Sequence, residues 1–333
     1  MLPFKLLSHP GFTVDLGPHV FPAQKYRLVR ERLLEAGIAD HADVVIPRAA
    51  GDEDVRRVHT PDYVDKMKTG AFSPAELRLL EVPWSPGLVE GVWLAAGAAI
   101  EAGRLARRDG CAIVLGGGFH HAFRDHGEGF CLVHDVAVAT RALRAAGDIG
   151  RVAVVDLDVH QGNGTAAIFA GDPDTFTVSL HQESNYPVVK PPSTVDVGLP
   201  DGTGDEEYLA ALEAPLSRAI GFQPDLLWYL AGADPYEHDL LGGLDLGAAE
   251  IDADACRQRR EAGRPSRARA WTSAPARTVP TWMLTVSAGL DAYPPASVTA
   301  TGTPAERAAA KTRRSRSRRP ARVSARPPRR SCS

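Results

Sequence analysis

The sequence predicts an α/β fold in which helices cover both faces of a parallel sheet. Short apolar runs at residues 111–115, 152–155 and 225–230 have the length of buried strands, and each is followed by glycine or polar residues. Helical segments lie between these runs, and such alternation is typical of parallel sheets. The chain has 333 residues, 44% of them hydrophobic, which is enough to bury the core of one such domain.

Apolar spacing and terminal glycines place the individual elements. Leucines at helical spacing predict the first helix, which Gly37 ends, and an alanine-rich stretch ending near Gly110 predicts a longer one. In chain order we predict a helix over 24–36, a helix over 93–107, a strand over 111–115, a helix over 135–146, strands over 152–155 and 176–180, a helix over 206–220 and a strand over 225–230.

Polar residues follow three of the predicted strands. Residues 156–164 read DLDVHQGNG, residues 116–121 read GGGFHH, and residues 231–235 read AGADP. Asp158 and His160 are two apart, so they point to the same side of an extended segment, and a carboxylate beside an imidazole suits a zinc ion. The alternative for this pair alone is a structural polar network. Since ligands bind at the carboxyl edge of such sheets, we expect all three segments to meet there.

These motifs resemble the zinc-dependent deacetylases of the arginase–deacetylase superfamily, which includes histone deacetylases and acetylpolyamine amidohydrolases. The sequences GGGFHHA, GFC at 129–131, DLDVHQGNG, TVSLH at 177–181 and AGAD occur in that family's order. AGADP followed by DLLGGLD at 239–245 looks closest to the class IV and related bacterial branch. The resemblance runs from about Pro3 to about Leu246. It implies a three-layer α/β/α arginase–deacetylase fold with a mostly parallel sheet of about eight strands. By the same resemblance, a short helix follows the HTPDY sequence at 59–63 and the final sheet strand lies within 279–286.

The resemblance also implies a catalytic role for five of these residues. Asp158, His160 and Asp234 would hold Zn²⁺ with an open position, and the sequence leaves Fe²⁺ open as the alternative. Such a metal lowers the pKa of its water towards about 7 and polarises the acyl oxygen. His121 would act as general base and then as acid towards the leaving amine, with His120 as its electrostatic partner.

Further residues are assigned by the same resemblance. Asp156 would pair with His120 and Asn163 with His121, which fixes the orientation of each ring. A monovalent cation, K⁺, would lie among five residues, largely through backbone carbonyls: Asp156, Asp158, His160, Ser179 and Leu180. Gly129 and Phe130 would form one wall of an acyl-lysine tunnel and Tyr186 the facing wall. We interpret Asp125, His126 and Glu128 as solvated loop residues, and His134 and Asp135 as the start of a helix.

One departure from the family concerns the last strand. The family ends it in Gly-Gly-Tyr, whose hydroxyl binds the tetrahedral oxyanion, whereas this chain has Leu290 at that position, after Ser287-Ala-Gly. Loss of one oxyanion donor typically costs about 100- to 1000-fold in rate. Tyr293, three residues later, is the candidate replacement. We therefore expect an intact metal site with impaired transition-state stabilisation.

The charge of the chain is divided unequally. From Arg257 to Ser333 there are 17 arginines and one lysine against three acidic residues, a net of +15, whereas the preceding residues carry 20 basic and 38 acidic side chains, a net of −18. We predict a deacetylase catalytic domain over 1–250, a degraded or divergent end of it over 251–298, and a disordered basic tail over 299–333. A shifted reading frame would explain the same composition. Nucleic-acid binding is expected only through this tail.

The predicted function is metal-dependent hydrolysis of the amide of an acylated lysine or polyamine-like amine through a metal-activated water. The alternatives are a weak or inactive acyl-amine-binding pseudoenzyme, and a ureohydrolase of the same superfamily. Four scattered cysteines without a Cys-x-x-Cys pair fit a reducing cytoplasm. The N-terminus lacks the features of a signal peptide, and no apolar run is long enough for a membrane span. The acyl group, the amine and the oligomeric state stay open.

Overall fold

Eight strands form one parallel sheet in the part of the chain that the computed structural model describes, residues 1–247 and 281–287. The strands are β1 (Lys5–Leu7), β2 (Val44–Val45), β3 (Cys111–Val114), β4 (Val152–Asp156), β5 (Thr175–Gln182), β6 (Val195–Leu199), β7 (Leu226–Gly232) and β8 (Thr281–Ser287). Their order across the sheet is β2-β1-β3-β8-β7-β4-β5-β6, and each neighbouring pair is parallel. The predicted eight-stranded parallel sheet is confirmed.

Eight α-helices accompany the sheet within the same described residues. They are α1 (Lys25–Glu35), α2 (Asp52–Arg56), α3 (Pro61–Thr69), α4 (Pro74–Leu80), α5 (Pro86–Asp109), α6 (Asp135–Ala145), α7 (Asn163–Phe169) and α8 (Asp205–Gly221). The longest, α5, begins seven residues earlier than we predicted. The reason is a cap: the hydroxyl of Ser85 accepts a hydrogen bond from the Leu88 amide at 3.1 Å, and Pro86 occupies the first helical position.

Alternate residues of the strands pack on opposite faces of the sheet, as the pleat requires. On β4, Val152 and Val154 are buried in the apolar cluster that α5 and α6 share. Ala153 and Val155 point the other way and pack with residues of α8. On β1, Leu7 joins the α5 cluster, while Leu6 joins a cluster that includes residues of α1. Helices therefore cover both faces, and the predicted three-layer α/β/α architecture is confirmed.

The parallel arrangement brings the loops that matter to one edge of the sheet. The segments that follow β3, β4 and β7 are residues 115–134, 157–162 and 233–247. Because all strands run in the same direction, these three segments leave the sheet at its carboxyl edge, where ligands of such sheets bind. Strand β8 is inserted between β3 and β7, as the last strand of the predicted fold.

Several predictions concern residues that lie outside the described ranges. These are the divergent segment 251–298 apart from β8, the basic tail 299–333, and positions Leu290 and Tyr293 of the proposed oxyanion donor. They stay predictions. None of the helices described in residues 1–247 combines the length and the apolar character that a bilayer crossing requires.

Candidate functional site

Three potential metal ligands converge where β4 and β7 end. Asp158, His160 and Asp234 each offer one donor atom, and the three atoms lie within 4.8 Å of one another. The Nδ1 atom of His160 lies 2.9 Å from Asp158 Oδ1 and 3.1 Å from Asp234 Oδ2. The amide of Val159 donates to Asp234 Oδ1 at 3.0 Å and so ties the two loops together. Gly232 lies beneath the group, where a Cβ atom would come within 2.6 Å of both carboxylates.

The charges in this group favour a bound cation. Burial opposes a charge on His160, yet hydrogen bonds and attraction from Asp158 and Asp234 raise its pKa to about 10. Burial would likewise raise the pKa of Asp158, but His120 and His160 hold it below its usual range. For Asp234, burial and the neighbouring charge of Asp158 raise the pKa, so a positive charge between the two carboxylates relieves their repulsion. Two carboxylate oxygens and one imidazole nitrogen are a suitable donor set for Zn²⁺ or a similar divalent ion, so the residues fit the metal that the sequence predicts.

The paired histidines lie beside this group, each bonded to a different partner. Gly116–Gly118, which precede them, all have positive φ angles, so the turn after β3 requires glycine. His120 Nδ1 lies 2.6 Å from the Asp156 carboxylate. His121 Nδ1 lies 2.7 Å from the side-chain oxygen of Asn163. The two imidazole rings are tilted against each other with their centres 4.0 Å apart.

The different partners give the two imidazoles opposite protonation preferences. Burial acts against a charge on His120, but attraction by Asp156 and Asp158 raises its pKa to about 9. For His121, burial and then the positive charges of His120 and His160 lower the pKa well below its ordinary value. These opposite shifts favour a neutral imidazole at His121 and a cationic one at His120.

The glycines of the DLDVHQGNG motif permit close backbone approach. A Cβ atom on Gly162 would lie 2.3 Å from the Asp156 carboxylate. A Cβ atom on Gly164, in the first turn of α7, would lie 2.3 Å from the carbonyl oxygen of Ala122 and 2.7 Å from that of His120. Only glycine therefore lets α7 and the histidine segment pack this closely.

A cavity of about 470 Å³ leads to the histidines and the metal group. The residues predicted as tunnel walls all line it: Gly129 and Phe130, both with positive φ, and Tyr186. The Tyr186 ring meets His121 edge to face with the centres 5.0 Å apart, and its centre lies 6.2 Å from that of His160. All three predicted wall residues therefore border the same cavity as Asp158, His160 and Asp234.

Glu128 corrects the sequence interpretation. We expected it to be a solvated loop residue, as Asp125 is with 71% of its side chain exposed, but only 14% of the Glu128 side chain is exposed. One of its carboxylate oxygens accepts a hydrogen bond from the Asn163 amide nitrogen at 2.8 Å and a second from the Tyr186 hydroxyl. His126 Nε2 lies 3.6 Å from its other oxygen. No local signal reveals this, because Asn163 and Tyr186 are 35 and 58 residues away in the sequence.

Lys25 is a second residue that the sequence analysis did not find. It is 5% exposed, lines the cavity, and places its Nζ atom 4.1 Å from the centre of the Phe21 ring. Burial lowers the pKa of Lys25, an effect that Asp234 and Asp158 partly offset. The helix that contains Lys25 was predicted, but the leucine spacing of that helix does not indicate that this lysine is buried.

His134 and Asp135 support the site from behind, as expected for the start of a helix. The Nδ1 atom of His134 accepts from the Ala137 amide at 3.2 Å and caps α6. The two oxygens of Asp135 accept from the amides of Gly118 and Phe119, both at 2.9 Å. Asp135 therefore holds the glycine segment that carries the histidines.

The residues assigned to a monovalent cation come from neighbouring strands. Asp156 of β4 is paired in register with Ser179 of β5, and Leu180 follows Ser179 in the buried part of that strand. The Ser179 hydroxyl lies 3.0 Å from His181 Nδ1. Asp156 and Ser179 are therefore neighbours, as the family resemblance implies. The K⁺ site itself stays a prediction.

Comparison with known proteins identifies the family. Residues 19–261 match the histone deacetylase domain. The chain belongs to the histone deacetylase family. An uncharacterized protein of Picosynechococcus is 40% identical over 243 residues, which cover 72% of this chain and 81% of that protein. Histone deacetylase 2 of Arabidopsis thaliana is 31% identical over 253 residues, covering 73% of this chain and 64% of that protein.

Two further likenesses are to a bacterial relative and, for the fold alone, to a solved structure. The acetoin utilization protein AcuC of Bacillus subtilis is 30% identical over 246 residues, covering 67% of this chain and 63% of the relative. The crystal structure of the HDA15 HD domain has the same fold, with a TM-score of 0.69 at 23% identity over 86% of this chain and 84% of that one. The matched part thus spans a little under two thirds of the plant and Bacillus relatives. Membership of the family supports a hydrolase of the deacetylase or amidohydrolase type.

Proposed function

We propose that this protein is a metal-dependent deacylase that hydrolyses the amide of an acylated lysine or polyamine-like amine. The observation that carries the proposal is a pair of adjacent imidazoles, one bonded to the Asp156 carboxylate and one to the Asn163 amide, beside a group of two carboxylates and one imidazole. Amide hydrolysis needs a base for water, stabilisation of developing negative charge and a proton for the amine. These side chains supply each of the three.

The metal group has one assigned task. Asp158, His160 and Asp234 would hold Zn²⁺ or Fe²⁺, which when bound polarises the acyl carbonyl and makes a water more acidic. The three side chains line the cavity and would hold the cation there, since their donor atoms already lie within 4.8 Å of one another. A substrate amide that enters the cavity therefore meets the cation and the two histidines together.

His121 is the residue that moves the proton. Its Nδ1 faces the Asn163 oxygen, which is an acceptor, so Nδ1 carries the hydrogen and Nε2 is free to accept one. Nε2 takes a proton from water as the water oxygen bonds to the acyl carbon. The same proton then passes to the amine nitrogen as the carbon–nitrogen bond breaks, which leaves a carboxylic acid product and a free amine. His120, held by Asp156, contributes a positive charge that stabilises the negative charge developing on the acyl oxygen.

The cavity supports an extended aliphatic substrate. The rings of Phe130 and Tyr186 both line it, and a side chain at Gly129 would crowd the cavity residues, because a Cβ atom there would lie 2.8 Å from His121 and 3.1 Å from Tyr186. A four-carbon lysine stem, or the terminal methylene segment of a polyamine, is apolar up to the acylated nitrogen, which suits a cavity lined both by apolar rings and by the polar metal group. Which acyl group and which amine are used is a matter for the assay.

Hydrolysis by the full chain tests the proposal directly. Zinc-loaded protein is incubated with acetyl-lysine peptides, acetylpolyamines and trifluoroacetyl-lysine peptides, and the released amine is quantified. We expect turnover of at least the activated trifluoroacetyl amides, a loss of about 1000-fold in His121→Ala, and little change in the control His41→Ala, a surface histidine. Absence of turnover on all three substrates, or activity that survives His121→Ala, contradicts the proposal.

Leu290 favours one alternative, a protein that binds acyl amines and turns them over slowly or not at all. Binding of a substrate peptide without turnover, measured by calorimetry on the zinc-loaded chain, supports that alternative. Sequencing the 3′ end of the gene tests the related explanation, because a single-base insertion or deletion that restores Gly-Gly-Tyr identifies a shifted frame. A ureohydrolase has less support, since it requires a second metal and the described residues contain one three-residue ligand group.

A further inference from the structure

A chain of hydrogen bonds links the tunnel wall to the catalytic histidine. The Tyr186 hydroxyl and the Asn163 amide nitrogen both donate to the same oxygen of Glu128. The other end of the Asn163 amide, its oxygen, lies 2.7 Å from His121 Nδ1. Asn163 thus connects Glu128 to the proposed base, His121. Glu128 also accepts a hydrogen bond from Tyr186, whose ring packs edge to face against the His121 imidazole.

The direction of this chain is set by the carboxylate. An ionised carboxylate only accepts hydrogen bonds, so Asn163 must turn its NH₂ group towards Glu128 and its oxygen towards His121. The Gly164 amide donates to the same Asn163 oxygen at 3.0 Å and favours the same orientation. His121 must then donate from Nδ1, which leaves Nε2 as the acceptor. Glu128 therefore contributes, through Asn163, to the choice of His121 tautomer.

The surroundings of Glu128 keep it in the form that this role needs. Burial would raise its pKa, but the nearby His126 imidazole and the hydrogen bonds from Tyr186 and Asn163 lower the pKa below its usual value, so it is ionised. Burial and the adjacent Glu128 charge raise the pKa of Tyr186, so the phenol stays neutral and can donate. Acceptor and donor are both fixed in the neutral pH range.

We propose that Glu128 is a positioning residue that holds Asn163 and Tyr186 with one carboxylate oxygen, and so sets the tautomer of His121 and the place of the tunnel wall together. The inference rests on the proposed function for its effect on turnover. Its effect on the His121 tautomer is independent of turnover and is observable in a protein that hydrolyses nothing.

Three variants separate this role from others. Glu128→Leu keeps the approximate volume and removes both acceptors, Glu128→Gln keeps an oxygen that can accept, and Tyr186→Phe removes one of the two donors. The matched control is Asp125→Asn. It removes the solvent-exposed carboxylate that lies three residues before Glu128 on the same loop. Thermal unfolding and zinc stoichiometry establish that each variant is folded and metal-loaded.

Two readouts are measured on the zinc-loaded full chain. The first is kcat and KM on the best substrate found above. Groups that orient ligands or catalytic side chains typically cost about 10- to 100-fold when removed. We therefore expect Glu128→Leu to lower kcat by about 10-fold or more with KM within about threefold, Glu128→Gln to keep kcat within about threefold, and Asp125→Asn to match the wild type.

The second readout is the ¹⁵N and ¹H NMR signal of the His121 ring, assigned by its loss in His121→Gln. We expect a single hydrogen-bonded Nδ1–H signal in the wild type and in Glu128→Gln, and a shifted or exchange-broadened signal in Glu128→Leu. An unchanged signal together with unchanged kcat in Glu128→Leu overturns the inference. A higher KM for cationic peptides with unchanged kcat also overturns it, since that pattern indicates attraction of substrate. If no chain turns over any substrate, the proposed function fails and the NMR signal alone decides the positioning role.

Discussion

Replacing Gly164 by alanine tests how closely α7 must approach the histidine segment. A Cβ atom at this position would lie 2.3 Å from the carbonyl oxygen of Ala122 and 2.7 Å from that of His120. Real Cβ contacts essentially never fall below 3.0 Å, so the shorter contact alone requires a movement of about 0.7 Å, the difference between 3.0 and 2.3 Å. Both neighbours are backbone atoms and have no torsion of their own by which to swing away.

The movement must be shared by two segments that both carry site residues. Gly164 follows Asn163 directly, and Ala122 follows His121, so separating the backbones stretches the 2.7 Å bond between those two side chains. Misplacing a catalytic group by about 1 Å can cost roughly 100-fold in rate. Forcing one extra methyl group into a packed interior typically costs about 1–3 kcal/mol. We expect kcat to fall between about 10- and 100-fold and the melting temperature to fall by several degrees.

The assay is kcat and thermal unfolding of the zinc-loaded Gly164→Ala chain beside a control glycine. Gly221 is the last residue of α8, where an added Cβ atom would meet nothing within 4 Å. Gly221→Ala should leave kcat unchanged and stabilise the protein by about 0.4–1 kcal/mol, because alanine reduces the freedom of the unfolded chain. A Gly164→Ala chain with kcat and stability close to wild type would refute the argument that glycine is required for this packing.

Three further predictions follow from single sites. Asp158→Ala should abolish stoichiometric zinc binding in elemental analysis, and a full zinc complement in that variant would exclude the proposed ligand set. Burial lowers the pKa of His59 to about 4 from 6.5, so between these pH values the unfolded chain binds one proton more than the folded chain. The free energy of unfolding should therefore fall as the pH drops from 6.5 to 4, by about 1.4 kcal/mol per pH unit. Urea unfolding should show that this free energy depends less steeply on pH in His59→Gln than in the wild type. Leu290→Tyr should raise kcat on acetyl-lysine by roughly 100-fold, whereas Tyr293→Phe should change it little, and the reverse pattern would identify Tyr293 as the oxyanion donor.

The sequence predicts those parts of the fold whose signal is local and strong. Strands β4 and β7 are continuous apolar runs, so their existence and their buried position could be predicted from the sequence. Strands β1 and β2 have three and two residues, which is too short for any periodic pattern. They form because β1 pairs with β3 and β2 pairs with β1. The start of α5 was predictable, since Ser85 followed by proline is a known helix-start pattern, but the alanine pattern further along outweighed it.

The candidate site divides in the same way. Residues within the two motifs, such as His120 and Asp158, could be placed because each motif follows a strand and parallel strands end at one edge. Glu128 and Lys25 could not, because the features that define them are contacts with residues far away in the sequence. The sequence around Glu128 predicts a solvated carboxylate, because the Asn163 and Tyr186 side chains that contact it come from other segments of the chain.

These distant contacts explain why the two histidines have different partners. His120 faces a carboxylate, Asp156, and His121 faces an amide, Asn163. An aspartate in place of Asn163 would set two carboxylates within hydrogen-bonding distance, since the Asn163 nitrogen lies 2.8 Å from Glu128. Such a pair requires either a bound proton or separation of the two side chains. The amide at position 163 and the carboxylate at position 128 therefore depend on each other, and together they leave His121 beside a neutral group that accepts its Nδ1 hydrogen.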